Sequence, residues 1–251
     1  MKILITGTSS GLGSFLYENM KSSKYDRHNH DRYKNQLWDL IIHTATNNSK
    51  VTNLDDLFDY KNSNITLTEK ITKLKYRKLI FTSTTQVYQD LNPQLTKEHN
   101  LNEIFAHKNN FYSHTKLISE SIIMNSNPKN IILRLGSMVG KNMKKNNVYK
   151  ILFEDLFDLT LTPNSKLAFI DHDEVLKFIK IILDKNLTGV FNFTRNDRIS
   201  IKGICEHFKK IPNKYGKFFF ESKIVDIKKC EEYFAINNKS SIQVLEKLYE
   251  S

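Results

Sequence analysis

Cysteine is scarce in this chain: Cys205 and Cys230 are the only two among 251 residues. That excludes a disulfide framework, and neither sits in a metal-ligand spacing. A reducing cytoplasm is the expected setting. Long apolar runs are also lacking, since none approaches the roughly 20 residues a membrane helix needs. The opening MKILITG is too short a stretch for a secretory leader and reads as a buried strand. No segment repeats. Acidic residues are outnumbered, 27 against 38 Lys and Arg, for a formal charge of +11. The lysines are spread along the chain, without zinc-finger spacing or the aromatic motif of an RNA-recognition sheet. They read as a lysine- and asparagine-rich surface, so neither nucleic acid nor membrane is expected as a partner.

What is present is an alternation of short apolar strands with amphipathic segments. Ile3-Leu4-Ile5 ends abruptly in a glycine turn, followed by a helical stretch from Leu12 to Met20. Further strands are read at Trp38–Thr46, Arg77–Thr84, Asn130–Gly136, Lys166–Ile170 and Gly189–Phe193. Helices are read around Ile65–Leu74, from Tyr112 onward, over Asp173–Leu183, and at the C-terminus with a cap near Ser240 or Ser241. This order predicts an α/β fold: a Rossmann-type, doubly wound parallel sheet with a small C-terminal lobe.

Three motifs carry chemistry. In Thr6-Gly7-Thr8-Ser9-Ser10-Gly11-Leu12-Gly13, glycines between a strand and a helix let backbone N–H groups approach a pyrophosphate. In Tyr112-Ser113-His114-Thr115-Lys116, the four-residue spacing puts a phenol and an ammonium on one helix face. A nearby cation lowers the phenol pKa, which makes the tyrosine a usable acid or base. In Phe81-Thr82-Ser83-Thr84-Thr85-Gln86-Val87-Tyr88, an apolar strand delivers hydroxyl groups to its carboxyl end, where open α/β sheets bind ligands.

Together these motifs resemble the short-chain dehydrogenase/reductase superfamily, and more closely its extended branch of NAD-dependent epimerases, dehydratases and sugar-nucleotide reductases. Softer matches follow in order: Trp38-Asp39-Leu40-Ile41-Ile42-His43-Thr44-Ala45, Asn64-Ile65-Thr66, Ile132-Leu133-Arg134-Leu135 with Val139-Gly140, Phe169 to Val175, and Gly189-Val190-Phe191-Asn192. The resemblance implies catalytic roles for Tyr112, Lys116 and Thr84, with Ser83 beside it. It implies a dinucleotide held by Gly7, Thr8, Ser9, Ser10, Gly11, Leu12 and Gly13, with Thr44, Ala45, Thr46, Asn64, Thr82, Leu135, Gly136 and Met138. A nucleotide-linked sugar would meet Thr85, Gln86 and Ser137. The basic loop after the Arg134 strand (Lys141, Lys144, Lys145, Asn146, Asn147, Tyr149 and Lys150) would neutralise its diphosphate.

The chain departs from the pattern in places. Its glycine spacing is Gly-x-x-x-Gly-x-Gly, and between Gly13 and Trp38 the usual second helix and third strand have no room. Asp26 suits the ribose of NAD, whereas Arg27, with Arg32 near, suits the 2′-phosphate of NADP. Thr85 and Gln86 stand where a dehydratase needs an acid and a base, so dehydration is not expected. The short chain and Arg27 favour a ketosugar-nucleotide reductase using NADP. An epimerase with retained NAD is the alternative, and a non-catalytic cofactor sensor a further one. Residues 1–251 are read as one domain: 1–136 and 167–195 mainly dinucleotide-binding, 137–166 and 196–251 mainly a substrate lobe, with a homodimer as the compatible assembly.

Overall fold

The apolar runs of the sequence become the strands of one parallel sheet. The computed structural model describes residues 1–48, 54–88 and 111–251. In chain order these form β1 (Ile3–Thr6), α1 (Gly11–Asn19), β2 (Ser23–Lys24), α2 (Asp31–Lys34), β3 (Leu37–His43), α3 (Leu54–Tyr60), α4 (Leu67–Thr72) and β4 (Lys75–Thr84). There follow α5 (Phe111–Ser126), β5 (Ile131–Leu135), β6 (Ser137–Val139), α6 (Asn147–Phe153), β7 (Lys166–Leu167), β8 (Phe169–Asp171), α7 (His172–Asp184) and β9 (Gly189–Phe193). The last elements are β10 (Ile199–Ser200), α8 (Ile201–His207), α9 (Lys228–Glu231) and α10 (Ser241–Tyr249).

Among the described residues the main sheet runs β2-β1-β3-β4-β5-β9, and every neighbour is parallel. Strands covered on both faces need apolar side chains on both, which is why β1 and β5 read as continuous apolar runs and are buried throughout. From β1 the chain goes to β2 on one side and then to β3 on the other. The crevice beyond the carboxyl ends of β1 and β3 is therefore the topological switch point, where such sheets bind ligands. Between β2 and β3 lie only a short 3-10 turn and the single-turn α2, so the shortened segment expected from the sequence is observed.

Two readings need correction. Lys166–Ile170 is not one strand: β7 pairs antiparallel with β10, whereas β8 pairs parallel with β6. The change of partner falls at Ala168, whose N–H is diverted to the Ser222 hydroxyl. The helix read at Ile65–Leu74 starts earlier, as a π-helical turn over Lys61–Thr66 that runs into α4. Such turns occur mostly at functional sites.

A second apolar cluster, with Val148, Ile151 and Leu152 of α6, Ile204 of α8, and Val244 and Leu245 of α10, packs apart from the sheet. Ser240 caps α10 with a reciprocal Gln243 contact, as its sequence predicts. Arg195 ties this region to the sheet side. Its buried guanidinium binds both oxygens of Glu174 on α7 and the carbonyls of Phe169 and Lys239.

Candidate active site

The glycine turn sits at the switch point. Gly7 takes φ +71°, and a Cβ there would lie 2.7 Å from both the Ala45 nitrogen and the Thr44 hydroxyl oxygen. Gly13 packs against the same strand end, with a would-be Cβ 2.2 Å from the Gly7 carbonyl oxygen. Gly11 differs: at φ +59° its missing side chain would point into open space. That space lies at the N-terminus of α1, whose cap Ser10 makes no side-chain bond to the helix. A turn of this shape, in which Asn142 O takes up Gly11 N–H and no Ser10 side chain caps the helix, fits a dinucleotide pyrophosphate at the amides that follow. Thr8 and Ser10 are half-buried beside it, Ser9 is exposed, and Leu12 is buried in the core.

One substitution probes this cradle. Gly11→Asn keeps a residue that tolerates a left-handed turn while filling the open space. Dinucleotide affinity by calorimetry should fall at least about tenfold, roughly 1.4 kcal/mol, with little change in melting temperature. Unchanged affinity in the folded variant removes the glycine turn from the cofactor site.

The neighbouring loop after β3 is held by polar contacts. Thr44 donates to the Thr6 carbonyl at 2.6 Å, and Ala45 N–H donates to the Thr6 hydroxyl at 3.1 Å. Asn64, in the π-helical turn, grips Asn47 at both ends: its oxygen accepts from Asn47 N–H at 2.6 Å, and its nitrogen donates to Asn47 O at 3.0 Å. It also accepts from Thr46 and donates to Thr115. With its amide so engaged, Asn64 acts as a clamp on the loop.

The carboxyl end of β4 meets α5. Thr84 accepts a hydrogen bond from Gln86 N–H at 3.2 Å. Thr84 stands beside the Tyr112 phenol, close enough to lower its pKa, and both line one cavity. Lys116, 2% exposed, donates to the Thr82 carbonyl at 2.8 Å and lies 4.5 Å from the Phe81 ring. The expectation that Lys116 lowers the Tyr112 phenol is not met. Burial instead pushes Tyr112 up to about 12, opposed by the neighbouring Thr84. Burial lowers Lys116 to about 7, opposed by the charge of Glu120. The two residues share a helix face, but the ammonium is directed down to Thr82, into the sheet.

Ser83 is also reassigned. Alternation along β4 turns it away from Thr84, and it donates to Glu120 at 2.5 Å. Glu120 is paired through both oxygens with Arg134, which donates on to the Tyr88 hydroxyl, and Tyr88 donates to Asn192. Ser83 thus belongs to a buried ion-pair network beneath the site. Glu120 follows Lys116 by one helical turn, so the spacing Tyr112, Lys116, Glu120 was the signal available for it.

The depressed Lys116 value has a testable sign. Below about pH 7 the folded protein carries a buried charge, and between about 7 and 10.5 the unfolded chain binds the extra proton. Lys116→Met removes that charge. Its stability relative to wild type should be most favourable at pH 6–7 and become less so toward pH 10, as measured by urea unfolding. A difference flat with pH argues against a depressed lysine.

A cavity of about 280 Å³ opens beside Tyr112, lined by Thr84, Thr85, Gln86, Leu135, Gly136 and Ser137, all of them among the residues singled out from the sequence. Asn48, Phe220, Ser222 and Lys223 also line it, and no spacing rule pointed to them. Lys223 is the single charged group among these lining residues. Its segment is fixed on both sides: Ser222 N–H donates to Lys166 O, and Asn196 grips Val225 as Asn64 grips Asn47. Met138 lies farther along β6, packed against the core.

The basic loop is not brought to this cavity. Asn146 caps α6, Asn147 binds Thr160, Lys150 donates to Asp158 O, and Tyr149 stacks against Phe153. These four residues have partners within the protein, and none of them lines the cavity. Lys141, Lys144 and Lys145 are exposed, and none of them lines the cavity. Arg27 and Arg32 are exposed after β2. Among the described residues, no group of His, Cys, Asp or Glu could hold a metal ion, and no helix is long and apolar enough to cross a membrane.

Comparison with known proteins agrees with this geometry. The chain is similar in structure to UDP-glucuronic acid 4-epimerase from Bacillus cereus in complex with UDP-glucuronic acid and NAD. The TM-score is 0.79 at 19% identity, covering 100% of this chain and 98% of that one. It is similar to MoeE5 in complex with UDP-glucose and NAD, with a TM-score of 0.81 at 14% identity over 100% and 98% of the two chains. RMD from Pseudomonas aeruginosa complexed with NADPH gives 0.72 at 14% identity over 99% of each. No curated protein sequence matches. The family model described as "NAD dependent epimerase/dehydratase family" matches residues 3–185. Its glycine turn, its Tyr112–Thr84 pair and that match together place the chain in the NAD-dependent epimerase/dehydratase family of enzymes.

Proposed function

We propose that this protein is a nucleotide-sugar epimerase that works with a retained NAD. The observation that carries the reading is that Tyr112 and Thr84 line one cavity, whose wall also holds Gly136 and Lys223. Tyr112, as its phenolate, would take the proton from a sugar hydroxyl and return it to that oxygen as the carbonyl is re-reduced. Burial of the phenol favours its protonated form, so this role requires that the proton be lost when the ligands bind. Thr84 holds the same oxygen, and Lys223 offers a cation to the anionic nucleotide. A bound nicotinamide would supply hydride acceptance and return. Thr85 and Gln86 carry no proton to transfer at neutral pH, so loss of water has no acid or base here. The solved structures similar to this chain include UDP-glucuronic acid 4-epimerase and UDP-galactose 4-epimerase, which supports epimerisation over the reduction favoured by sequence. In this reading 1–136 and 167–195 mainly hold the dinucleotide, while 137–166 and 196–251 mainly build the sugar side.

Cofactor choice turns on Asp26 and Arg27. The β1–β2 register pairs Ile5 with Lys24, so its continuation brings Asp26 level with Gly7, the position suited to ribose hydroxyls. This favours NAD. A second reading, a reductase using NADPH, draws on exposed Arg27, which can grip a 2′-phosphate, and on a Tyr112 held protonated, ready to donate to a carbonyl oxygen.

One experiment separates the two. The purified protein is incubated with a panel of UDP- and dTDP-hexoses without added cofactor, and products are followed by NMR. Epimerised sugar, with NAD co-purifying, supports the proposal. No product until NADPH is added and consumed in step with a keto-sugar establishes the reductase.

A further inference from the structure

The loop expected to cover the substrate lies against the other ligand's cradle. Gly11 N–H, at the start of α1, donates to the Asn142 carbonyl at 2.6 Å. The Asn142 side chain donates to Ser14 at 3.0 Å and to Glu18 at 2.8 Å, fastening the loop along α1. On its other side the loop is anchored by the β6–β8 pairing and by the Asn146 cap of α6. We propose that residues 140–145 form the outer wall of the dinucleotide's phosphate cradle, with Lys141 and Lys144 as its countercharges. The inference rests on the reading of the glycine turn as the dinucleotide site.

Three observations support it. Neither lysine lines the cavity beside Tyr112, and both flank the residue that touches Gly11. Both are exposed, and neither makes an ion pair among the described residues. The one carboxylate on the strap, Glu18, stands seven residues into α1, about 10 Å along its axis from the open N-terminus. Asn142 takes up Gly11 N–H, which leaves the next amides of the turn, Leu12 and Gly13, for phosphate oxygens. A dinucleotide pyrophosphate there would lie between those N–H groups and two lysine heads, in a helix-terminal field that also favours anions. The family's shortened adenosine side in this chain makes such extra phosphate contacts useful.

The test uses Lys141→Gln/Lys144→Gln, both at exposed positions, with Lys129→Gln/Lys185→Gln at the opposite edge of the sheet as a control of equal charge change. NADH binding is read by fluorescence titration at low and high ionic strength, and UDP-glucose binding by calorimetry in the presence of NAD. Exposed charge contacts are weak singly and screened by salt, so NADH affinity should fall about three- to tenfold at low salt and little at high salt. The control should stay at wild type, and UDP-glucose affinity should not move. Unchanged NADH affinity, an equal loss in the control, or a loss confined to UDP-glucose overturns the inference alone. A wild-type protein that binds no dinucleotide overturns both it and the reading beneath it.

Discussion

Replacing Tyr112 by phenylalanine should lower turnover by about 10²–10⁴-fold, the range for loss of a positioned general acid or base, and leave dinucleotide affinity close to wild type. The phenol stands beside Thr84 at the cavity wall, where it can pass a proton to or from a bound sugar. Phenylalanine keeps the ring and removes only the hydroxyl, so the fold should lose no more than the Thr84 contact, about 1 kcal/mol. Steady-state kinetics on the sugar nucleotide found by the product panel, with NADH titration alongside, gives both numbers. A variant with near-normal kcat makes Tyr112 a bystander. One that loses cofactor affinity as steeply as rate makes the phenol a binding group instead.

The largest effect on stability is expected at Arg134. Its guanidinium is 1% exposed, and it satisfies both oxygens of Glu120 and the Tyr88 hydroxyl at 2.7 Å. Arg134→Met fills much of the volume but leaves a buried carboxylate without its partner, at a cost of about 3–5 kcal/mol. Ser83 and the nearby Lys116 still face that carboxylate, which puts the value toward the lower end. Restoring neutrality should recover part of the loss: in Arg134→Met/Glu120→Leu no bare charge remains. Urea unfolding of the two single variants and the double variant closes the cycle. Strict additivity means that the two side chains do not act as a pair.

The strands, the switch point and the glycine turn were legible in the sequence because they depend on local rules: apolar runs, a strand-to-helix glycine, helical spacing. Tyr112, Thr84 and Gly136 were found by position in known motifs, and the structure brings them to one cavity wall. Lys223 was invisible, because it arrives through a segment whose conformation is set by distant partners, Lys166 and Asn196. Ser83 was misplaced because a strand's neighbouring hydroxyls face opposite sides, which composition alone does not show. The 141–150 loop was assigned to the substrate by resemblance and charge, neither of which shows that Asn142 reaches Gly11 at the start of α1. The sign of the Tyr112 shift was missed for a similar reason: spacing predicts a shared helix face, not where a lysine head is drawn once buried.

The all-parallel order also governs how the chain comes into being on the ribosome. The β5 edge of the sheet cannot be covered until β9, ending at Phe193, has been made. At about 5–20 residues per second, that is roughly 10–40 s after synthesis begins. No adjacent hairpin can close in the meantime, since each parallel pairing waits for a whole crossover. From its own completion at Leu135 until then, about 3–12 s at that speed, β5 presents an open row of backbone donors and acceptors and is a template for pairing with another nascent chain. Yield in a cell should therefore depend on translation speed and on chaperones that shield this one edge.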